Sequence, residues 1–224
     1  MTSDEILSMK KYIQRNLCPV VMELLFIISC FIVPKDYYIY TNFLFYLALA
    51  VYFILQKQFS FSEWKKNVLG GRKFWIPVFM TALGFMAAFA ITIFLEGVFP
   101  GLDDGMIGLK RDTWFKLLIF ALSTIILPPV VEELFYRKSL IAFGNKMVMV
   151  LTTFTGLFLY ALEHALSLWG ILLVMIWALP LSISYIKTKN VYISMTAHFI
   201  VNFLGNGTDV IFTAIALLNR DSSF

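Results

Sequence analysis

Long apolar stretches follow one another along almost the whole chain, and only short polar breaks separate them. A helix needs about 20 apolar residues to cross about 30 Å of hydrocarbon, and several of these stretches have that length. β-Strands are excluded, because an open sheet edge in lipid would leave backbone groups without hydrogen bonds. The pattern predicts an all-α, polytopic membrane protein.

The composition also argues against a soluble fold. Of the 224 residues, 60% are apolar and 14% are charged, whereas about 25% of the residues in a typical soluble domain are charged. A soluble fold of this length could not bury so much apolar surface, since much of any compact fold faces water. Cys18 and Cys30 both fall in the first apolar stretch. We therefore expect two buried thiols and neither a disulfide nor a metal pair.

We predict about eight transmembrane helices in a single bundle. The last three segments are short or closely spaced, so tilting, re-entry or merging of these three is the alternative. The approximate bounds of the segments are 17–34, 38–55, 74–99, 114–138, 147–169, 170–187, 190–205 and 208–219.

The basic residues predict the orientation of the bundle. With the N-terminus in the cytoplasm and eight crossings, fourteen of the eighteen lysines and arginines fall in inside segments. The four that fall outside are Lys35, Lys110, Arg111 and Lys116. Cytoplasmic loops carry an excess of basic residues, so this count favours cytoplasmic N- and C-termini. The chain has no basic stripe with interleaved aromatic residues, and we expect no nucleic-acid partner.

Two adjacent acids lie in the fourth apolar segment, just after a pair of prolines. A charged side chain at mid-membrane costs about 3 kcal/mol on insertion scales, so it is usually paired, cavity-facing or functional. Pro128 and Pro129 remove backbone donors and are expected to kink or interrupt the helix before Glu132 and Glu133, which can open a watered pocket.

The spacing of these acids predicts different surroundings for each. Glu133 and Arg137 are four residues apart with the acid first, a favoured helical ion pair. Glu132 points about 100° away and is left without this partner. The alternative is that both acids are interfacial groups near the cytoplasm, paired with Arg137 and Lys138.

The chain has two histidines, and both lie inside apolar segments. Tyr160 and His164 share a helical face at four-residue spacing, and Glu163 is expected to face elsewhere. His198 and Asn202 also share a face, so an imidazole and an amide can donate to one oxyanion. Hydrogen bonding between helices explains each pair taken alone. Three polar clusters on separate segments favour one shared site.

Taken in order, these clusters resemble the signature of the CPBP family of intramembrane proteases, the CAAX-protease and bacteriocin-processing enzymes also called the Abi family. The family signature is Glu-Glu-x-x-x-Arg, then Phe-x-x-x-His, then His-x-x-x-Asn or His-x-x-x-Asp, all on transmembrane helices. The first and third motifs are complete in this chain, and the second has tyrosine in place of phenylalanine. The corresponding residues are Glu132, Glu133, Arg137, Tyr160, His164, His198 and Asn202.

The resemblance covers roughly residues 115–205. We expect residues 114–224 to form the catalytic transmembrane core. Residues 1–113 are expected to supply N-terminal transmembrane helices and a cytoplasmic basic loop, and the two parts to form one integral membrane unit. The reading of residues 1–113 rests on hydropathy alone.

The resemblance implies an intramembrane endopeptidase. Glu132 is then the general base that activates water, and His164 helps to position or polarise that water. His198 and Asn202 bind the developing oxyanion. The supporting residues are Glu133, Arg137 and Tyr160. Eukaryotic members remove the last three residues of prenylated CAAX proteins, and bacterial members are linked to bacteriocin self-immunity and peptide maturation.

The resemblance leaves the metal requirement open. Glu132, His164 and His198 offer the donor types of a zinc site with an open position for water. Because the His-Glu-x-x-His spacing is absent, we favour a metal-free, glutamate-dependent mechanism with no cofactor. The expected partners are a peptide or membrane-protein substrate and membrane lipid, in a bacterial cell membrane. The alternatives are a non-catalytic immunity or regulatory protein that binds a membrane partner, and a small transporter or channel.

Overall fold

The computed structural model describes residues 3–221, with side chains described from Met9 onward. Within these residues the chain is helical and contains no strand, apart from one isolated antiparallel bridge between Met106 and Ala165. A 3-10 turn, Lys35–Tyr37, and two π-helical stretches, Leu122–Ile126 and Glu133–Ser139, interrupt the α-helices. The α-helices are α1 (Ser3–Ile32), α2 (Tyr38–Leu55), α3 (Phe61–Val68), α4 (Arg72–Val98), α5 (Trp114–Ala121), α6 (Leu127–Glu132), α7 (Lys146–Leu162), α8 (Leu168–Thr188) and α9 (Val191–Asp221).

Six helical segments of the described chain are long and apolar enough to cross a membrane. They are Met9–Ile32, Lys35–Leu55, Arg72–Val98, Trp114–Ser139, Leu168–Thr188 and Val191–Arg220. A seventh apolar helix, Lys146–Leu162, is shorter. Large apolar side chains on the outside of the bundle, such as Phe31, Phe94 and Phe212, are exposed as lipid-facing residues are. The predicted all-α membrane bundle is confirmed.

The last two predicted segments, 190–205 and 208–219, are not separate. They form the single helix α9, which runs from Val191 to Asp221 without interruption. The prediction placed the break near Gly205 and Gly207, but a glycine in a helix costs only about 1 kcal/mol. In lipid a break costs more, because every freed backbone group needs another hydrogen-bond partner.

This continuous helix changes the position of the chain's C-terminal end. Arg220 Nη1 donates to the carbonyl of Asp112 at 3.1 Å, beside the start of α5. The Tyr12 hydroxyl donates to the carbonyl of Leu140 at 2.7 Å, just after the segment Trp114–Ser139 has crossed the bundle. The start of α1 and the end of α9 therefore lie at opposite ends of the bundle. The prediction that Arg220 and the loop before Trp114 lie on opposite sides is wrong.

The basic segment between α2 and α4 is partly helical. Ser60 caps α3, its side chain accepting from the Glu63 amide. Trp64 Nε1 donates to Thr196 Oγ1 at 2.8 Å, and the Tyr192 hydroxyl donates to Glu63 at 3.1 Å. These bonds attach α3 to the first turns of α9, so the segment is a docked helix and not a plain loop.

Close helix packing brings the later helices around the acid pair. α4 packs against α8 and α9, and α7 packs against α8. A Cβ atom added at Gly156 of α7 would lie 2.7 Å from the carbonyl oxygen of Tyr136. The absence of a side chain at Gly156 is therefore what lets α7 approach the Glu133–Ser139 stretch.

Candidate active site

The prolines before the acid pair change the helix locally and connect it to α9. Pro128 and Pro129 have no N–H, so carbonyl groups in the preceding turn lose their helical donors. The chain is π-helical at Leu122–Ile126, just before them. The Thr124 carbonyl there accepts from Asn202 Nδ2 at 2.9 Å and from Asn206 Nδ2 at 3.1 Å. The expected interruption of the helix is thus a π-helical stretch held by two amides of α9.

The ion pair predicted from helical spacing is present and entirely buried. Arg137 Nη1 lies 3.1 Å from Glu133 Oε1, and neither side chain is accessible. The Arg137 guanidinium also lies 4.8 Å from the centre of the Tyr160 ring and donates to the carbonyl of Ala178. Glu132 is 1% exposed. The alternative of interfacial, solvated acids does not fit this burial.

His198 lies between the two acids. Its Nδ1 is 3.1 Å from Glu133 Oε1, and its Nε2 is 3.7 Å from Glu132 Oε2. The ring stacks on Phe85 of α4, with the ring centres 6.0 Å apart. Glu133 is already paired with Arg137, so it is an acceptor and His198 Nδ1 is the donor.

His164 has a defined tautomer. Its Nδ1 lies 2.9 Å from the carbonyl oxygen of Tyr160. A carbonyl only accepts, so Nδ1 carries the proton and Nε2 of the neutral ring is an acceptor. The ring stacks on Tyr160 with the centres 4.6 Å apart, which confirms that these two residues share a face.

Glu163 was expected to face away from the site, and this prediction is wrong. Glu163 is the C-cap of α7, which ends at Leu162, and tertiary hydrogen bonds, not helical spacing alone, direct its side chain. The side chain is 3% exposed and reaches the acid pair. The Tyr136 hydroxyl donates to Glu163 Oε2 at 2.7 Å, and the Tyr46 hydroxyl contacts Glu163 Oε1 at 3.0 Å.

The N-terminal helices also contribute to the site. Tyr46 of α2 donates to Glu132 Oε1 at 2.6 Å, so its hydroxyl lies between the carboxyl groups of Glu132 and Glu163. The sequence carries no signal for Tyr46, because it is one of several aromatic residues in an apolar stretch. The site is therefore not confined to residues 114–224.

A cavity of about 630 Å³ brings most of these groups together. The four residues expected to act on substrate, Glu132, His164, His198 and Asn202, all line it, whereas Glu133 and Arg137 lie behind its wall. Tyr46, Tyr160 and Glu163 also line the cavity, and its apolar lining includes Phe85, Phe89 and Trp177.

One carboxylate oxygen in this cavity is free. Within the described part of the chain, Glu132 Oε2 is buried and has no hydrogen-bond partner. An oxygen of Glu132 and a ring nitrogen of His164 lie within 4.8 Å of one another. Two hydrogen bonds of about 2.8 Å each span such a distance, so a single water can bond both groups.

The donor set for a metal differs from the predicted one. Among the described residues, the ligand-type atoms of Glu132, Glu163 and His164 lie within 4.8 Å of one another, and His198 is not in this group. The Tyr46 hydroxyl already bonds one oxygen of each carboxyl group. The geometry is therefore a poor fit to the zinc site expected from Glu132, His164 and His198.

The comparison with known families agrees with the motifs. Residues 114–204 match the family model described as type II CAAX prenyl endopeptidase Rce1-like. No curated protein and no solved structure is significantly similar to the chain. The matched range holds all three motifs, and their polar side chains meet in and behind one cavity wall. On these grounds the segment 114–204 is similar to the Rce1-like type II CAAX prenyl endopeptidases, in agreement with the predicted resemblance to the CPBP family.

Proposed function

We propose that this protein is an intramembrane endopeptidase that hydrolyses peptide bonds with a water activated by Glu132. The observation that carries the proposal is the buried Oε2 of Glu132, which has no hydrogen-bond partner among the described residues and lies beside His198 in the cavity that His164 also lines. Buried carboxylates without a partner are costly, so such a group inside a membrane protein favours a functional role.

The water is held between Glu132 and His164. Nε2 of His164 accepts a hydrogen bond from the water, because Nδ1 of that ring already donates to the Tyr160 carbonyl. Glu132 Oε2 removes the second hydrogen of the water as a proton while the water oxygen attacks the scissile carbonyl carbon. Glu132 then passes this proton to the amine nitrogen as the C–N bond breaks.

The oxyanion is stabilised from α9. His198 Nδ1 is committed to Glu133, so its Nε2 bears a hydrogen only when the ring is a cation. His198 acts on the oxyanion through this Nε2, which faces Glu132 Oε2 at 3.7 Å. One N–H of the Asn202 amide bonds the Thr124 carbonyl, and its second N–H is left for the substrate. Both donors belong to one helix and line the same cavity.

No metal takes part in the proposed mechanism. The support for this is that, among the described residues, the compact donor set consists of Glu132, Glu163 and His164 and lacks the His198 of the expected zinc site.

The proposed substrate is a peptide or the end of a membrane-associated protein that enters from lipid, with a CAAX-type prenylated peptide as the first candidate. The apolar walls of the cavity, with Phe85, Phe89 and Trp177, suit an apolar substrate. We place the protein in a bacterial cell membrane, where peptide processing or bacteriocin immunity is its expected setting.

The proposal is tested with Glu132→Gln in purified protein reconstituted in vesicles. The probe is a quenched fluorescent peptide that ends in a farnesylated CAAX sequence, supplemented by a library of unmodified apolar peptides. We expect wild-type protein to cleave at least one probe and the variant to lose about 1,000-fold or more in kcat. Glu96→Gln on α4, an acid outside the cavity, is the matched control.

An unchanged rate in Glu132→Gln would refute the assignment of the base. If Glu132→Gln retains the full effect of the protein in cells, that result would instead favour a non-catalytic immunity or regulatory protein.

A further inference from the structure

The contact geometry of Tyr46 defines where protons lie in the site. Its hydroxyl oxygen is 2.6 Å from Glu132 Oε1 and 3.0 Å from Glu163 Oε1. A phenol has one hydrogen, so it can donate to only one of these oxygens. At the second contact the Tyr46 oxygen and a carboxyl oxygen would then have no hydrogen between them. That contact is a hydrogen bond only if the carboxyl group is protonated and donates its own hydrogen.

The distances indicate which carboxyl group is neutral. Hydroxyl donors approach ionised acceptors to about 2.5–2.7 Å, closer than they approach neutral ones. The shorter contact, to Glu132, is therefore the bond donated by Tyr46 to a carboxylate. The longer contact is then donated by a protonated Glu163 to the Tyr46 oxygen. Glu163 Oε2 accepts from Tyr136 in the same arrangement.

The balance of buried charge agrees with this assignment. Arg137 pairs with Glu133, and the ring of His198 lies between Glu133 and Glu132. Among the described residues, Glu163 forms no ion pair with a lysine or arginine, and the basic atom beside it, His164 Nδ1, is 3.5 Å away and already donates to a carbonyl. A further buried carboxylate would be left without compensation, and a neutral acid avoids that cost.

We propose that Glu163 is a positioning residue that acts in its neutral, protonated form. By donating to the Tyr46 oxygen it directs the single Tyr46 hydrogen onto Glu132 Oε1. Glu132 is thereby held by one oxygen, and Oε2 is the one left to meet water. The inference rests on the proposed function for its catalytic consequence, but the protonation of Glu163 is independent of it.

The first test compares Glu163→Gln with Glu163→Ala in the peptide-cleavage assay. A glutamine side chain has the shape of the neutral acid, with an N–H donor for Tyr46 and an oxygen acceptor for Tyr136. We expect Glu163→Gln to keep kcat/KM within about threefold of wild type, and Glu163→Ala to lose about 100-fold through misplacement of Glu132. A glutamine variant as inactive as the alanine variant would overturn the proposal, because an ionised Glu163 would then be required.

The second test does not depend on proteolysis. Infrared spectroscopy separates the carbonyl band of a protonated carboxylic acid from that of a carboxylate. We expect the wild-type protein at neutral pH to show protonated-acid absorption that Glu163→Gln partly removes. Glu23, another acid buried beside Tyr136, is assigned separately with Glu23→Gln.

The two tests fail in different ways. An acid band that is identical in wild type and Glu163→Gln would refute the neutral Glu163, whatever the activity. If no peptide is cleaved but the band shifts as expected, the proposed function fails and the protonation assignment stands. If Glu163→Ala does not fold, the activity and the infrared spectrum of Glu163→Gln still test the proposal.

Discussion

The side-chain amide of Asn202 donates to the main-chain carbonyl of Thr124 at 2.9 Å, across the gap between α9 and the π-helical stretch. This bond connects the two prolines to the substrate cavity. Pro128 and Pro129 deprive the preceding turn of donors, and α9 supplies them from two amides. Asn202 is thereby held at the cavity, and its second side-chain N–H has no partner among the described residues.

Replacing Asn202 by alanine should lower kcat by about 100- to 1,000-fold, because one oxyanion donor is lost. Asn206→Ala is the matched control, since Asn206 donates to the same carbonyl at 3.1 Å from one turn further along α9. We expect that control to retain activity. The measurement is kcat of both variants on the same peptide. Equal losses would indicate that the two amides serve only to hold the helix.

Replacing Arg137 by methionine should destabilise the fold strongly. The pair Arg137–Glu133 is inaccessible to solvent, so the change leaves an uncompensated buried carboxylate. Breaking such a pair costs about 3–5 kcal/mol. Thermal unfolding in detergent measures the loss. The double variant Arg137→Met with Glu133→Gln should recover a large part of it, and no recovery would show that packing on Tyr160 is the dominant contribution of Arg137.

Adding a methyl group at Gly156 should strain the contact between α7 and the acid-bearing segment. The new carbon would lie 2.7 Å from the Tyr136 carbonyl oxygen, so the helices must separate. We expect Gly156→Ala to lose about 1–3 kcal/mol of stability and to reduce activity, because Tyr136 contacts Glu163. Gly97→Ala on α4, where nothing lies within 4 Å, is the control. Comparable unfolding temperatures of the two variants would contradict the close packing.

Removal of divalent metal should leave proteolysis unchanged. After treatment with a strong chelator we expect kcat/KM to stay within about twofold, with far less than one zinc per protein by elemental analysis. Loss of activity that zinc restores in proportion to binding would contradict the metal-free mechanism. It would point to Glu132, Glu163 and His164 as the ligands.

The two ends of the bundle should be labelled from different sides of the membrane. In a variant with Cys18 and Cys30 replaced by alanine, single cysteines at Leu69 and Leu218 provide exposed probes near each end. We expect an impermeant thiol reagent added outside intact cells to label only one of them, position 218. Labelling of both from the same side would support the arrangement with eight crossings.

Part of the candidate site was predictable because polar residues are rare in apolar segments. Glu132, His164, His198 and Asn202 stand out for this reason, and all four line the cavity. Glu163 also stands out as a charge, but its direction was inferred from an α-helix that ends one residue earlier. Tyr46 could not be selected, because tyrosines are frequent in this chain and membrane helices often carry them at the interface.

The positions of Glu132 and His164 along the bundle axis could not be predicted from the sequence either. With a turn near Gly144, ideal helical rise places Glu132 and His164 about 10 Å apart along the bundle axis. In the structure their ligand-type atoms are within 4.8 Å. The segment before the turn is π-helical at Glu133–Ser139, and His164 lies beyond the end of α7, so neither half follows ideal rise.

By itself the sequence determined the helical membrane class, the order of the motifs and the ion pair within one helix. These features depend on local residue spacing and on the free-energy cost of placing polar groups in lipid. Both are independent of how the helices are arranged. Tertiary structure alone decided that α9 is continuous, that its end lies beside Asp112, and that Tyr46 meets Glu132 and Glu163. Such contacts join residues far apart in the chain, and their geometry depends on how whole helices tilt, bend and pack.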